Sequence, residues 1–170
     1  MSNNTAFLVG FMGSGKSSIL DVLKLNTEIN TIDLDDIVLE ESEDHIESIE
    51  QLFNKYGEEY FRNCEVKAFQ KVYKNSNTVL SLGGGSMISP PIKSAVLESD
   101  YSFYLKNDFK SLWENIKDSN RPLVSTGKHN VKKIYHERLD TYEQCNNTVD
   151  MSKLSFQEAC EIIINRLGWI

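Results

Sequence analysis

The sequence predicts an α/β fold, a parallel β-sheet with helices on both faces. Two observations support this class. Five short apolar runs alternate with longer segments of helical periodicity, and the first run leads directly into a glycine-rich stretch. The 170 residues, 40% of them hydrophobic, suffice for one domain with its own core. Because no repeat, linker or low-complexity tract divides the chain, we expect a single domain over residues 1–170.

The apolar runs place the five strands. Each run is short and continuous, as strands buried on both faces of a parallel sheet are. We therefore predict strands at residues 6–9, 31–33, 78–82, 101–105 and 148–150.

Helical periodicity fills the intervals between the strands. The longest helical region has a break near Gly57, prolines after Ser89 occupy a first helical turn, and Ser155 with Glu158 forms a capping box. The polar residues 117–130 interrupt the pattern, and we predict that they form a lid loop. The predicted helices span residues 17–25, 36–73, 89–98, 108–116, 131–145 and 155 onward.

The charge composition argues against a nucleic-acid-binding protein. The chain has 18 basic and 25 acidic residues and a net charge of -7. A nucleic-acid-binding domain usually carries a basic face, whereas an acidic chain must bind anions through a few well-placed groups. Only four of the basic residues are arginines, namely Arg62, Arg121, Arg138 and Arg166.

The sequence predicts neither a membrane protein nor a secreted one. No apolar run reaches the ~18 residues of a membrane-spanning helix, and the amino terminus lacks the basic region of a signal peptide. The three cysteines and three histidines have neither disulfide-framework nor zinc-site spacing, and we expect them to be structural or surface residues. We therefore expect a cytoplasmic monomer without membrane or nucleic-acid partners.

The glycine-rich stretch carries a phosphate-binding motif. Residues 10–17 read GFMGSGKS, which matches the P-loop pattern G-x-x-x-x-G-K-S/T. Glycines let backbone N–H groups surround phosphate oxygens, Lys16 reaches the β- and γ-phosphates, and the Ser17 hydroxyl ligates Mg²⁺. A buried strand before the motif and a helix after it are the required context. The predicted nucleotide-binding residues are Gly13, Ser14, Gly15, Lys16, Ser17 and Ser18.

Two aspartates follow the second predicted strand. Asp33 and Asp35 lie where the ligand crevice of a parallel sheet forms, and alternation would direct both toward the γ-phosphate. One carboxylate could hold a water of the Mg²⁺ shell, and the other could accept a proton from an attacking hydroxyl. No aspartate follows the third strand, so Asp33 is the candidate on the magnesium side. The alternative is a solvated turn with a helix N-cap, a role that we expect of Asp36.

Three successive glycines, Gly83, Gly84 and Gly85, end the third predicted strand. Glycine loses more backbone entropy on folding than any other residue, so a triplet needs a reason. Close approach of the backbone to a ligand is one reason, and a flexible connection between strand and helix is the alternative.

Together these motifs resemble those of shikimate kinases, and the resemblance covers essentially the whole chain. The P-loop, the Asp33-x-Asp35 pair and the glycine triplet are similar to the family's versions. Phe61-Arg62 with Glu65 resembles the family's F-R-x-x-E. Two further matches complete the set: Arg121 opens an R-P-L like that of the family's lid, and Arg138 precedes Tyr142 by four residues.

The resemblance implies a fold and a reaction. The fold would be the three-layer P-loop kinase core, with a five-stranded sheet in the order 2-3-1-4-5, substrate-binding helices at about residues 34–74 and a lid loop at about 117–130. The reaction would be transfer of a phosphoryl group from ATP to the 3-hydroxyl of shikimate, a step of aromatic amino acid biosynthesis, with Mg²⁺ held by Ser17 and, through water, by Asp33.

The resemblance also implies the role of each residue. Asp35 would bind the substrate hydroxyls and act as the base, and Lys16 and Arg121 would stabilise the transferring phosphoryl group. The substrate would be bound by Arg62 and Arg138 at its carboxylate and by Gly83, Gly84 and Gly85. Arg121 would also contact the nucleotide phosphates.

The chain departs from the family pattern near the adenine site. The arginine that the family places some residues before the R-P-L is absent, and Lys117 is a possible substitute. Lys153 fits the basic position that the family has after the last strand. Two other functions stay open: another small-molecule P-loop kinase, such as gluconate kinase, and a regulatory module that binds ATP without catalysis. A GTP switch is disfavoured because the N-K-x-D guanine signal is absent.

Overall fold

The computed structural model describes residues 4–42 and 45–169. Within them five strands alternate with seven helices. The strands are β1 (Thr5–Val9), β2 (Asn30–Asp33), β3 (Thr78–Ser81), β4 (Ser102–Lys106) and β5 (Asn147–Asp150). The helices are α1 (Lys16–Asn26), α2 (Leu34–Glu41), α3 (Ile49–Val72), α4 (Pro90–Glu98), α5 (Phe109–Ile116), α6 (Lys128–Tyr142) and α7 (Phe156–Leu167).

The five strands form one parallel sheet in the order β2-β3-β1-β4-β5, which confirms the predicted fold class and strand order. β1 is the central strand, and Phe7 lies between Leu80 of β3 and Ser102 of β4. Since all strands are parallel, the P-loop after β1, the aspartates after β2 and the glycines after β3 meet at one edge of the sheet.

The side chains of β1 alternate between two cores. Phe7 and Val9 belong to the cluster on the face that α3 and α6 cover, and Ala6 and Leu8 belong to the cluster on the face of α1 and α7. This alternation is the two-residue period of a strand buried on both faces. β1 therefore packs against helices on both faces of the sheet, and this packing fixes the position where the P-loop begins.

Of two predictions near the site, one is confirmed and one boundary differs from the structure. The break near Gly57 is present as a kink inside α3, where Gly57 has φ 79° and ψ 177°. The predicted loop at 117–130, in contrast, is too long, because Val124–Thr126 form a 3-10 turn and α6 already begins at Lys128. The first turn of α6 was missed because Lys128 and His129 are exposed, so apolar periodicity starts only at Val131.

The cysteines are structural, as expected: Cys64, Cys145 and Cys160 are buried and free. None of the helices within residues 4–42 and 45–169 combines the length and apolar character needed to span a membrane. Over the same residues, no group of three or more His, Cys, Asp or Glu side chains could hold a metal ion.

Candidate active site

The P-loop leads directly into α1, as its motif predicts, and Gly15 is the N-cap of this helix. Gly13 and Gly15 have φ values of 81° and 97°, which L side chains rarely adopt. A Cβ at Gly15 would also lie 2.6 Å from Cε1 of Phe156. Lys16 Nζ donates to the carbonyl oxygens of Gly10 at 2.7 Å and Phe11 at 3.1 Å. Burial, reinforced by the charge of Arg121, lowers the pKa of Lys16 to about 8.

Asp33 lies between the P-loop and α2. Its Oδ2 accepts from the Ser17 hydroxyl at 3.3 Å, and its Oδ1 accepts from the backbone N–H of Asp35 at 3.1 Å. Asp33 is therefore the N-cap of α2, and the expectation that Asp36 caps this helix is wrong. The helix begins directly where β2 ends, so Asp36 is already in its first turn and exposed.

Asp35 reaches the site from a helix. It lies in the first turn of α2, so strand alternation does not explain its position. Burial, and after it the charges of Asp33 and Glu65, raises the pKa of Asp35 to about 6. A carboxyl group with a pKa this close to neutral is suited to accept and return a proton.

Arg62 and Arg138 converge on the glycine triplet. A Cβ at Gly85 would lie 2.5 Å from Nη2 of Arg62 and 3.1 Å from Nη2 of Arg138, so a larger residue here would displace at least one of the two guanidinium groups. Arg138 Nη1 donates to the Gly84 carbonyl at 3.0 Å, and the Tyr142 hydroxyl donates to the same oxygen. The triplet thus allows two cations to approach one point of the backbone.

A fully buried carboxylate holds Arg62 in this position. Glu65 Oε2 lies 2.7 Å from Arg62 Nη1, and Glu65 Oε1 accepts from the Ser86 hydroxyl. Phe61 supports the guanidinium from another side, with its ring centroid 4.9 Å from Cζ. Nε of Arg62 is buried and has no hydrogen-bond partner within the described part of the chain. The guanidinium therefore has one donor that the described residues leave unpaired.

Two adjoining cavities meet beside Asp35. One, of about 350 Å³, lies along the P-loop, and the other, of about 570 Å³, lies between α3 and the segment that precedes α6. Arg62 and Arg138 line the larger cavity, and Lys16 and Ser17 line the smaller one. Five residues line both: Met12, Asp35, Gly83, Gly84 and Arg121. The site can therefore hold a nucleotide and a second, anionic substrate with Asp35 at their junction.

The adenine-side candidates from the sequence do not line the smaller cavity. Lys153 is 78% exposed and pairs with Asp150 at 3.1 Å, and Lys117 pairs with Glu114 at 2.7 Å.

Two residues that the motifs did not indicate line the smaller cavity instead. Asn115 Nδ2 donates to the Gly13 carbonyl at 2.9 Å, and Phe156 is 45% exposed at the start of α7. A large aromatic residue directly after a helix-capping serine was the available signal for Phe156.

The fold and the two cavities define a P-loop kinase that acts on a small molecule. The family model for shikimate kinase matches residues 12–168. The chain therefore belongs to the shikimate kinase family, and of the functions that the sequence left open, the comparisons favour neither gluconate kinase nor a non-catalytic module.

Relatives over nearly the whole length agree with this assignment. The chain is 32% identical to a shikimate kinase of Dictyoglomus turgidum, over 94% of each chain. Its fold superimposes on a shikimate kinase of Acinetobacter baumannii in complex with shikimate, with a TM-score of 0.84, 23% identity, and coverage of 96% of this chain and 93% of that one. A shikimate kinase of Aquifex aeolicus gives a TM-score of 0.77 and 28% identity, over 96% of each chain.

Proposed function

We propose that this chain transfers the γ-phosphoryl group of ATP to the 3-hydroxyl of shikimate. One observation carries the proposal: Arg62 and Arg138 meet at Gly85 in a cavity that joins the P-loop cavity at Asp35. This arrangement suits a hydroxylated carboxylic acid, with its acid group at the arginines and a hydroxyl near Asp35. A structural relative has been solved with shikimate bound, which supports the choice of acid.

The P-loop cavity is the proposed site of the ATP phosphates. Backbone N–H groups of residues 13–18 would surround the β-phosphate, and Lys16 would leave its carbonyl partners to contact the transferring group. Arg121 lines both cavities and would neutralise charge that develops during transfer.

Ser17 and Asp33 fit a magnesium ion. A hydroxyl and a carboxylate 3.3 Å apart are oxygen groups of the kind that Mg²⁺ prefers, and Ser17 would bind the ion directly while Asp33 would hold it through water. Burial raises the pKa of Asp33, and a cation would favour its charged form. Mg²⁺ bound here with ATP would neutralise phosphate charge.

Asp35 is the proposed base. As the 3-hydroxyl oxygen attacks the γ-phosphorus, its proton passes to a carboxylate oxygen of Asp35. The bond between the γ-phosphorus and the β,γ-bridging oxygen breaks, and ADP leaves with the electron pair. Glu65 acts through Arg62 as a positioning residue, because its carboxylate contacts the guanidinium.

Phe156 and Asn115 are the proposed adenine-side residues. Asp35 and Arg121 line the end of the P-loop cavity where the phosphoryl group would be transferred. The adenine ring of ATP would therefore lie toward the other residues that line this cavity. An exposed aromatic ring beside Gly15 offers a face for stacking.

Residues 117–127 are the proposed lid, which would close over the bound substrates and exclude water. We further propose that the enzyme is monomeric and cytoplasmic.

Measurement of ADP release with and without shikimate tests the proposal. We expect ADP release to depend on shikimate and on Mg²⁺, and to be near background with gluconate. Equal ADP release in the presence and absence of shikimate would contradict the proposed acceptor.

A further inference from the structure

We propose that Glu58 occupies Arg62 in the ligand-free enzyme as a stand-in for the substrate carboxylate, and that the substrate must displace it. The inference rests on the proposed function, because it concerns the site where shikimate would bind. It adds a residue that sets substrate affinity without taking part in the chemistry.

Glu58 contacts the side of the Arg62 guanidinium that faces the cavity. Its Oε1 lies 3.4 Å from Nη2 of Arg62, and Glu58 lines the larger of the two cavities, the proposed substrate cavity. Nη2 is also the atom that points at Gly85, where the guanidinium of Arg138 approaches. A carboxylate of the protein therefore contacts the Arg62 nitrogen nearest to the point where the two cations meet.

The two carboxylates on Arg62 differ in burial. Glu65 is fully buried, 2.7 Å from Nη1, and also bonded to Ser86, so it is a fixed partner. Glu58 has a 59% exposed side chain and a longer contact, so it can leave for solvent at little energetic cost. Its position, one helical turn before Arg62 and directly after the Gly57 kink, keeps it within reach.

Removal of the Glu58 charge leaves Arg62 held in place. Glu65 and the Phe61 ring still contact the guanidinium, so its orientation does not depend on Glu58. What changes is competition: Nη2 loses a carboxylate partner, and the cavity loses a negative charge that repels an incoming carboxylate. Tighter substrate binding follows.

Two other glutamates provide matched controls. Glu50 lines the same cavity but has no contact with Arg62 among those that the structure describes, so Glu50→Gln reports the general effect of a charge at the cavity. Glu59 is an exposed neighbour of Glu58 outside the cavity lining, so Glu59→Gln reports the effect of a surface charge on α3.

Calorimetry tests the proposal without relying on turnover. It compares shikimate binding by the wild type with shikimate binding by Glu58→Gln, Glu50→Gln and Glu59→Gln. We expect Glu58→Gln to lower the Kd about 1.4- to fivefold, the range for loss of one weak competing ion pair. Glu50→Gln should have a smaller effect. The Glu58→Gln gain should disappear with the carboxamide analogue of shikimate, which has no charge to compete.

Steady-state kinetics separate this role from a structural one. For Glu58→Gln, KM for shikimate should fall by the same factor while kcat changes less. An unchanged or higher Kd in Glu58→Gln, an equal gain in Glu50→Gln, or a gain retained with the carboxamide would overturn the proposal. Shikimate binding without phosphoryl transfer in the wild type would instead contradict the proposed function and leave the Glu58 comparison intact.

Discussion

Asp35 combines two properties that oppose each other in the ligand-free protein. It is charged at neutral pH and lies at the junction of two cavities, where burial and two neighbouring carboxylates disfavour its charge. Such a carboxylate is useful in catalysis and unfavourable for stability. Substitution of this one residue should therefore move activity and stability in opposite directions.

The catalytic consequence is a loss of turnover. Asp35→Asn cannot accept the proton of the 3-hydroxyl, so kcat should fall by about 10²–10⁴. Initial rates at saturating ATP and shikimate measure this directly. A kcat within twofold of the wild type would remove Asp35 from the role of base.

The stability consequence has the opposite sign. The pKa of Asp35 is about 6 in the folded protein and lower in the unfolded chain, so the folded state binds the proton more tightly. The free energy of unfolding should therefore decrease as pH rises from about 4 to 6, and Asp35→Asn should be more stable than the wild type by about 1–3 kcal/mol at pH 7. Urea unfolding without nucleotide and Mg²⁺ measures the difference, which should shrink at pH 4.

Arg62 and Arg138 should each be needed for substrate binding. Removal of a charged partner from a desolvated pair costs about 2–5 kcal/mol, so Arg62→Ala or Arg138→Ala should weaken shikimate binding roughly thirtyfold or more. Arg166 is the matched control, because it bonds Asn147 at 2.9 Å at the amino end of β5, away from the site. Arg166→Ala should bind shikimate as the wild type does. Wild-type affinity in either site variant would refute the carboxylate assignment.

The kink in α3 shapes the substrate cavity. Ile49 and Phe53 line the cavity from the part before Gly57, and Phe61, Arg62 and Glu65 line it from the part after it. A straight helix could not present both sets to one cavity, because a helical face repeats every 3.6 residues along a single axis. The Gly57 conformation is thus a condition for the site.

Gly57→Ala should therefore affect both stability and binding. The backbone at φ 79° and ψ 177° is accessible essentially only to glycine, so alanine should cost about 1–3 kcal/mol of unfolding free energy and raise KM for shikimate. Gly168→Ala is the control, because Gly168 caps α7 at φ 60° outside both cavities. It should destabilise the protein without raising KM. Equal KM effects in the two variants would mean that the kink does not shape the cavity.

The features of the fold that could be predicted from the sequence are those that local sequence patterns encode. Strand runs, the P-loop and the capping box are contiguous patterns, and the structure places each within a few residues of its predicted position. The N-cap of α2 was misassigned because the helix begins at Leu34, directly after β2, and not at the predicted residue 36. Asn115 and Phe156 come from α5 and α7 and reach the P-loop only through tertiary packing, so local patterns could not place them there, although the aromatic residue after Ser155 marked Phe156 as unusual.

The arginines connect composition with the site. In a chain of net charge -7, three of the four arginines line the two cavities. Exposed charges are screened beyond about 8 Å at physiological salt, so these local cations decide whether an anion binds. Their rigid, forked guanidinium groups suit carboxylate and phosphate better than lysine does.

The position of the transferred phosphate distinguishes the proposed reaction from every alternative acceptor. ³¹P NMR of the wild-type protein with ATP, Mg²⁺ and shikimate identifies the product, because the ester phosphorus couples to the proton on its carbon. We predict a single phosphate monoester coupled to the proton at carbon 3, with ADP formed in equal amount. Inorganic phosphate alone, or an ester at another hydroxyl, would contradict the placement of the 3-hydroxyl beside Asp35.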